Sequence, residues 1–180
     1  MRRRIALITG LVALLAGGAL LAGCGDHEVA TEVVEGEPLE LGELSYNVAI
    51  TRFLNSDDVE DSEYLAGQPP EPAGKSYLGV FLAIRNHSED EAYPSADSYT
   101  VIDTTDAEFE PIESDNPYAL QPGDTVPADG QLPLPDSSAF YGPTQGSLLL
   151  FLVDDGVSEN RPLRLEIGSS LGDGEVLLDI

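Results

Sequence analysis

Two histidines and one serine-containing string are the residues of this 180-residue chain most suited to catalysis. His27 and His87 do not form a metal-type pair such as His-x-x-x-His. The string Gly168–Gly172 matches Gly-x-Ser-x-Gly, but a nucleophile elbow also needs a helix after the serine and a histidine later in the chain. The sequence after Gly172 offers neither. We therefore interpret the string as a turn and His87 as an exposed turn residue, and we expect no enzyme activity.

Clustered carboxylates offer a second kind of chemistry, the binding of a hard cation. Calcium takes its ligands from carboxylate and carbonyl oxygens, and four acids crowd one short segment: Asp57, Asp58, Glu60 and Asp61. The segment lacks the alternating Asp or Asn residues and the central glycine of a calcium loop. These four residues are therefore candidate ligands for a structural calcium site, with a solvated acidic loop as the simpler interpretation. Carboxylate pairs for glycoside hydrolysis arise by chance among 33 acids, and the chain has no tryptophan to stack a sugar.

The N-terminus has the three parts of a secretory signal in their usual order. Arg2, Arg3 and Arg4 precede an apolar run over 5–21, and small residues lead to Cys24, the only cysteine. The alternative is an uncleaved transmembrane helix, but the run lies at the short end of what spans a bilayer. No basic stop-transfer cluster follows it.

The closing residues Leu21-Ala22-Gly23-Cys24 resemble the lipobox of bacterial lipoproteins. The resemblance implies cleavage before Cys24 and transfer of a diacylglycerol to its thiol. Two acyl chains suffice for stable anchoring, so we expect a lipid anchor on the extracytoplasmic face of a cell membrane. The predicted organisation is a signal peptide at 1–23, a lipidated acidic tether at 24–42 and one folded domain at 43–180.

The charge of the chain limits its partners. Loss of the three signal arginines leaves five basic residues against 33 acidic ones, which takes the net charge from −25 to −28. Nucleic-acid binders need a basic face, and anionic lipid surfaces attract basic segments. We therefore exclude both as partners of the folded part. Solubility at a crowded surface is the simplest role for this charge; attraction of cations or of a basic partner, and a salty habitat, are alternatives.

Short strands separated by turn signals dominate the rest of the chain. Segments 44–50 and 162–167 alternate apolar and polar residues, as half-buried strands do. Segments 77–84 and 147–153 are apolar throughout, which is typical of strands covered on both faces. Prolines at 69, 70 and 72 mark a long exposed loop at 55–74, and six more prolines exclude long elements from 113–146. About seven strands without a helical period predict an all-β, antiparallel β-sandwich.

Several of these segments resemble a known family in their order along the chain. The strand 77–84 continues into Asn86-His87-Ser88, which we interpret as a turn although it also matches a glycosylation sequon. With Ser98–Asp103, Phe109-Glu110-Pro111 and Leu120–Gly123 behind a lipobox, it is similar to the telokin-like, immunoglobulin-like bacterial lipoproteins, a family of unknown function. The resemblance covers about residues 43–167 and implies an immunoglobulin-like sandwich outside the membrane. It carries over no catalytic residue, and the Cys–Cys pair and tryptophan of antibody domains are missing.

Two classes of function remain open. The first is a non-catalytic interaction module that binds an envelope or extracellular protein through the loop 55–74 or the segment 113–146. Tyr118, Phe140 and Tyr141 are the candidate contact residues in that segment, because exposed aromatic rings in loops often form binding sites. The second class is an accessory structural domain with weak association to calcium or another cation.

Overall fold

The structure, a computed structural model, describes residues 31–180. Cys24 and the predicted signal peptide lie outside the described residues. The strands are β1 (Glu32–Val34), β2 (Pro38–Leu41), β3 (Leu44–Leu54), β4 (Lys75–Asn86), β5 (Tyr93–Pro94), β6 (Ser98–Ile102), β7 (Glu108–Phe109), β8 (Thr125–Val126), β9 (Gln131–Leu132), β10 (Ser147–Asp154), β11 (Leu163–Ser169) and β12 (Gly172–Leu178). The helices are α1 (Val59–Tyr64) and α2 (Ser138–Tyr141), with a 3₁₀ helix at Asp155–Glu159.

Two sheets pack face to face and confirm the predicted all-β, immunoglobulin-like sandwich. Sheet 1 has the order β1-β12-β11-β6-β7, and sheet 2 has the order β10-β4-β3-β2 with β9 also paired to β4. A separate ribbon joins β5 to β8. Alternate side chains of both sheets point inward, such as Val80 and Leu82 of sheet 2 and Val101 and Leu165 of sheet 1, all fully buried. Burying an aliphatic side chain of this size stabilises a fold by roughly 1.5–3 kcal/mol, so this core is the main source of stability.

Sheet 2 is covered on both faces, as the continuous apolar runs predict. Even-numbered residues of β4 face the core between the sheets, whereas Tyr77 and Phe81 face a second cluster on the outer side. That second cluster also contains Leu54 of β3, Tyr64 and Leu65 at the end of α1, and Leu148 and Leu150 of β10. The outer face of sheet 2 is therefore the surface on which the long loops of the chain pack.

The predicted tether at 24–42 is wrong in its second half, because β1 and β2 belong to the sandwich. Val33, Leu39 and Leu41 are buried, while Glu37 is exposed and Glu35 and Glu40 are half-buried. β2 pairs antiparallel with β3, and β1 pairs parallel with β12, so the sandwich is not purely antiparallel. The folded domain thus begins before residue 43.

The predicted loop at 55–74 contains the helix α1. Asp58 caps its N-terminus by accepting a hydrogen bond from the Glu60 amide at 2.9 Å, and acidic residues in the first turn suit the helix dipole. In the segment 113–146 the longest regular element is the four-residue α2, as the proline density predicts. Within residues 31–180, no helix is both long enough and apolar enough to cross a bilayer.

The Asn-x-Ser segment is a turn held by the buried side chain of its asparagine. Asn86 is fully buried, and its Nδ2 donates to the carbonyl oxygens of Glu91 at 2.8 Å and Pro127 at 3.0 Å. Its Oδ1 accepts from the amide of Ser88 at 2.9 Å. The side chain of Asn86 thus connects the end of β4 to two neighbouring loops by hydrogen bonds. Asparagine suits this position because its carboxamide has two donor hydrogens and one acceptor oxygen.

Candidate interaction surface

Phe140 and Tyr141 form an exposed aromatic corner at the end of α2. Ser137 caps this one-turn helix by accepting a hydrogen bond from the Phe140 amide at 3.3 Å. The two rings meet edge to face, with centroids 5.1 Å apart. Tyr141 is 77% exposed and Phe140 is half-buried. Tyr141 thus meets the expectation of an exposed aromatic ring in a loop.

Tyr118, the third candidate contact residue, is half-buried and packs against α1. Its ring packs edge-on against Tyr64 with centroids 4.8 Å apart, and its hydroxyl donates to Glu63 Oε2 at 2.7 Å. That hydrogen bond to a carboxylate raises the pKa of Tyr118. A Cβ on Gly142 would lie 3.0 Å from Cε1 of the Tyr118 ring. Tyr118 therefore positions α1 against the segment that carries the aromatic corner, rather than offering a free ring.

α1 is fixed to the outer face of sheet 2 by one ion pair and one aromatic ring. Arg52 Nη2 lies 2.6 Å from Asp61 Oδ1, and Asp61 is buried. The Arg52 guanidinium lies 5.8 Å from the ring centroid of Tyr64 and 5.7 Å from that of Phe81, within the range of cation–π contacts. The Tyr64 hydroxyl accepts from the Thr144 amide at 2.9 Å. These contacts join the two loops that the sequence singles out into one covering layer.

A concavity of about 240 Å³ lies beside the aromatic corner, on the part of sheet 2 that this layer leaves open. Its floor is made by the small side chains of Ala49 and Ala83, and a β-bulge in β3 between Val48 and Ile50 includes Ala49. Pro133 and Phe140 stand beside this floor. The other lining residues are Asn47, Gln131, Gln145 and Gly146.

Gly146 is required where the chain enters this site. Its φ is +123°, and a Cβ there would lie 2.9 Å from the backbone nitrogen of Leu82. Only glycine permits both this conformation and this close approach. The backbone of the loop before β10 can therefore lie directly against β4, which brings Gln145 to the rim of the concavity.

The structure does not bring the four candidate calcium ligands together. Asp61 pairs with Arg52 and also accepts from the Asn55 amide at 2.9 Å, and Asp58 caps α1. Asp57 and Glu60 are exposed. In residues 31–180, no group of three or more histidine, cysteine or acidic side chains is arranged to hold a metal ion.

Of the residues considered for catalysis, His27 lies outside the described residues, and the others lie in or beside turns. Gly168–Gly172 is the hairpin between β11 and β12, with Ser169 paired to Gly172, as the sequence predicts. The hydroxyl of Ser169 donates to the Gly172 carbonyl oxygen at 3.0 Å. His87 follows β4, and its Nε2 lies 3.8 Å from Oε2 of Glu40 with both side chains about half exposed.

Comparisons with known proteins support the fold alone. An uncharacterised β-sandwich protein from Clostridium difficile aligns with a TM-score of 0.51 at 11% identity, over 83% of this chain and 95% of that one. The secreted protein MPT63 of Mycobacterium tuberculosis aligns with a TM-score of 0.50 at 11% identity, over 84% and 98% of the two chains. The YjhA protein of Bacillus subtilis aligns with a TM-score of 0.49 at 12% identity, over 82% and 99%. No protein-family model matches the chain, and no curated protein matches it.

Proposed function

We propose that this chain is a lipid-anchored, extracytoplasmic binding module without catalytic activity, which meets a protein partner through the aromatic corner of α2. The exposed ring of Tyr141 carries the proposal. A tyrosine that is 77% exposed offers a large aromatic contact area on the surface of a strongly acidic chain of net charge −25. Tyrosine is also among the residues that most often dominate binding energy at interfaces.

Export and anchoring rest on the lipobox-like sequence ending at Cys24.

Membership of the telokin-like lipoproteins is part of this proposal, supported by the order of motifs along the chain and by the secreted protein among the structures with the same fold. Six residues, 25–30, separate the anchor Cys24 from Thr31, the first described residue, and the seven chain steps between the two span at most about 25 Å. Thr31 accepts a hydrogen bond from the Glu175 amide at 2.8 Å.

Metabolic labelling with an alkyne-bearing palmitate tests the anchor. We expect label on the full chain expressed in a bacterium and none on the Cys24→Ser variant, which also keeps its signal peptide. Retention of the signal peptide and absence of label on the unchanged chain would instead establish the uncleaved transmembrane helix.

Capture from envelope extract tests the binding surface, with the full chain in detergent as bait. Tyr141→Ser removes the exposed ring without touching the core, and we expect it to abolish capture of the specific partner. Val34→Ser is the matched control, because Val34 is also exposed, at 47%, but lies on β1 of sheet 1. Equal capture by the two variants would show that the aromatic corner is not the site.

A further inference from the structure

The carboxamide side chains of the protein point to a second binding site, beside the exposed ring of Tyr141 and sharing Phe140 with the aromatic corner. Residues 31–180 contain nine asparagine and glutamine side chains. Six of them make hydrogen bonds within the described part of the chain: Asn55, Gln68, Asn86, Asn116, Gln121 and Asn160.

The other three carboxamides lie in one place. Asn47, Gln131 and Gln145 make no side-chain hydrogen bond to any other residue of 31–180, and all three line the concavity over Ala49 and Ala83. Each carboxamide offers two donors and one carbonyl acceptor. The rim of this small hollow therefore presents a set of unengaged donors and acceptors, while its floor is apolar.

The lining carries no charge, which is unusual on this surface. Its residues are Asn47, Ala49, Ala83, Gln131, Pro133, Phe140, Gln145 and Gly146. By contrast, the hollow on the outer face of sheet 1 is lined by Asp97, Glu166, Asp173 and Glu175. A ligand of the uncharged hollow needs no countercharge, and an anionic ligand would be repelled by the strongly acidic protein around it.

We propose that this hollow binds one neutral sugar ring. The volume of about 240 Å³ is below the roughly 300–1,000 Å³ of pockets that enclose drug-sized ligands, so it suits a single ring. A pyranose has an apolar C–H face, which packs on the Phe140 ring and the alanine floor. Its hydroxyl groups each donate and accept, which matches the carboxamides of Asn47, Gln131 and Gln145. This inference adds a ligand class to the proposed binding module, and it stands apart from the protein partner of Tyr141.

Saturation-transfer NMR with the full chain in dodecylphosphocholine micelles tests the site, since this detergent contains no sugar. The probes are glucose, galactose, mannose and N-acetylglucosamine, each at millimolar concentration, with glucuronate as the anionic match to glucose. We expect transfer to at least one neutral sugar, strongest at its axial C–H protons, and none to glucuronate. A single ring with few contacts binds in the millimolar range.

Variants locate the binding. Ala83→Phe fills the floor and should abolish transfer, and a melting curve checks that the variant folds. Gln145→Met removes one carboxamide at nearly constant volume and should weaken binding by about twofold to tenfold, the worth of one net hydrogen bond. Gln68→Met, a carboxamide outside the hollow, should bind as the unchanged chain does.

The sugar assignment would be overturned by the absence of transfer to every neutral sugar, by equal transfer to glucuronate, or by binding that survives Ala83→Phe. Transfer to the neutral tripeptide Gly-Asn-Gly without transfer to sugars would also overturn it, since the hollow would then recognise peptide groups. Tyr141→Ser should leave sugar binding intact. Saturation transfer therefore tests the sugar site independently of the capture experiment, which tests the protein interface.

Discussion

Asp103 lies at the start of the turn between β6 and β7, where its buried carboxylate organises the neighbouring backbone. Oδ1 accepts from the amide and hydroxyl of Thr105, each at 2.7 Å, and from the Ala107 amide at 3.1 Å. Oδ2 accepts from Nδ2 of Asn160 at 2.9 Å, which joins this turn to the 3₁₀ segment. Burial alone would raise the pKa of Asp103, but the hydrogen bonds outweigh it and lower the pKa to about 2.

Asp103→Asn should lower the free energy of unfolding at pH 7 by about 1–3 kcal/mol, because the new amide faces the Asn160 amide donor and the charge is lost. The lowered pKa of Asp103 also determines how the stability of the fold changes with pH. The carboxylate stabilises the fold fully above its unfolded pKa near 4, and that contribution is lost as the pH falls towards 2. The variant should therefore lose less stability than the unchanged chain over this window, as measured by urea unfolding at several pH values.

Asp106→Asn is the control for this prediction. Asp106 is exposed in the same turn with φ of +63°, a conformation that asparagine also tolerates. Its stability should match that of the unchanged chain at each pH. If the two variants lose the same stability, the network around Asp103 is not the source.

At the level of secondary structure, α1 is a short helix that is stabilised by contacts with sheet 2 although it has no long apolar face. Six residues make fewer than two turns, too few for an isolated helix to be stable. The ion pair between Arg52 and Asp61, with Asp61 buried, supplies the missing attachment. Tyr64 adds the ring that packs on Phe81, with centroids 4.9 Å apart.

Asp61→Ala should destabilise the protein by about 1.5–3 kcal/mol, because it leaves the half-buried Arg52 without its charge-assisted partner and frees the Asn55 amide. Hydrogen exchange should then become faster at the amides of 59–64 while the central amides of β4 keep most of their protection. Asp58→Asn is the matched control, since asparagine caps helices as well as aspartate. Equal exchange in both variants would show that the ion pair does not hold α1.

Sequence patterns predict the elements with strong periodicity and miss the short ones. The apolar runs of β4 and β10 and the alternation of β3 and β11 are each seven residues or longer, so packing and pattern agree. β1 and β2 have three and four residues among acids, and the sequence alone places them in the tether. α1 has one buried ring and one buried acid, which no hydrophobic period reveals.

The candidate site was predictable only in part, because it joins residues that are far apart in the chain. A sequence shows that Tyr118, Phe140 and Tyr141 share a proline-rich segment, but it does not show which ring pairs with Glu63. The hollow depends on residues from β3, β4, β9 and the loop before β10, which are distant in the chain. The small residues Ala49 and Ala83 in β3 and β4 are a weak sequence signal for it, because the same strands also carry Ser45 and Gly79.

At the scale of the whole molecule, charge is the dominant feature. The full chain carries −25, and four of the five basic residues in 31–180 are engaged with acids: Arg52, Lys75, Arg85 and Arg164. Most carboxylates of 31–180 therefore have no basic side chain within ion-pair distance. Self-repulsion of this kind destabilises a compact state and is screened by salt.

Raising sodium chloride from low to physiological concentration should therefore raise the melting temperature. Calcium and magnesium chloride at equal ionic strength should raise it by equal amounts, because Asp58 and Asp61 are committed to the cap and the ion pair. Differential scanning calorimetry measures both effects. A rise specific to calcium would support the alternative of a cation-associated structural domain.

Photo-crosslinking in intact cells tests the central claim most directly. p-Benzoylphenylalanine in place of Tyr141 puts the reactive group on the aromatic corner, and the same residue in place of Val34 puts it on sheet 1. If the aromatic corner binds a protein partner, we expect a discrete protein adduct from position 141 and no adduct of that mass from position 34. Identical adducts at both positions, or none at position 141, would contradict the claim that this surface binds a partner.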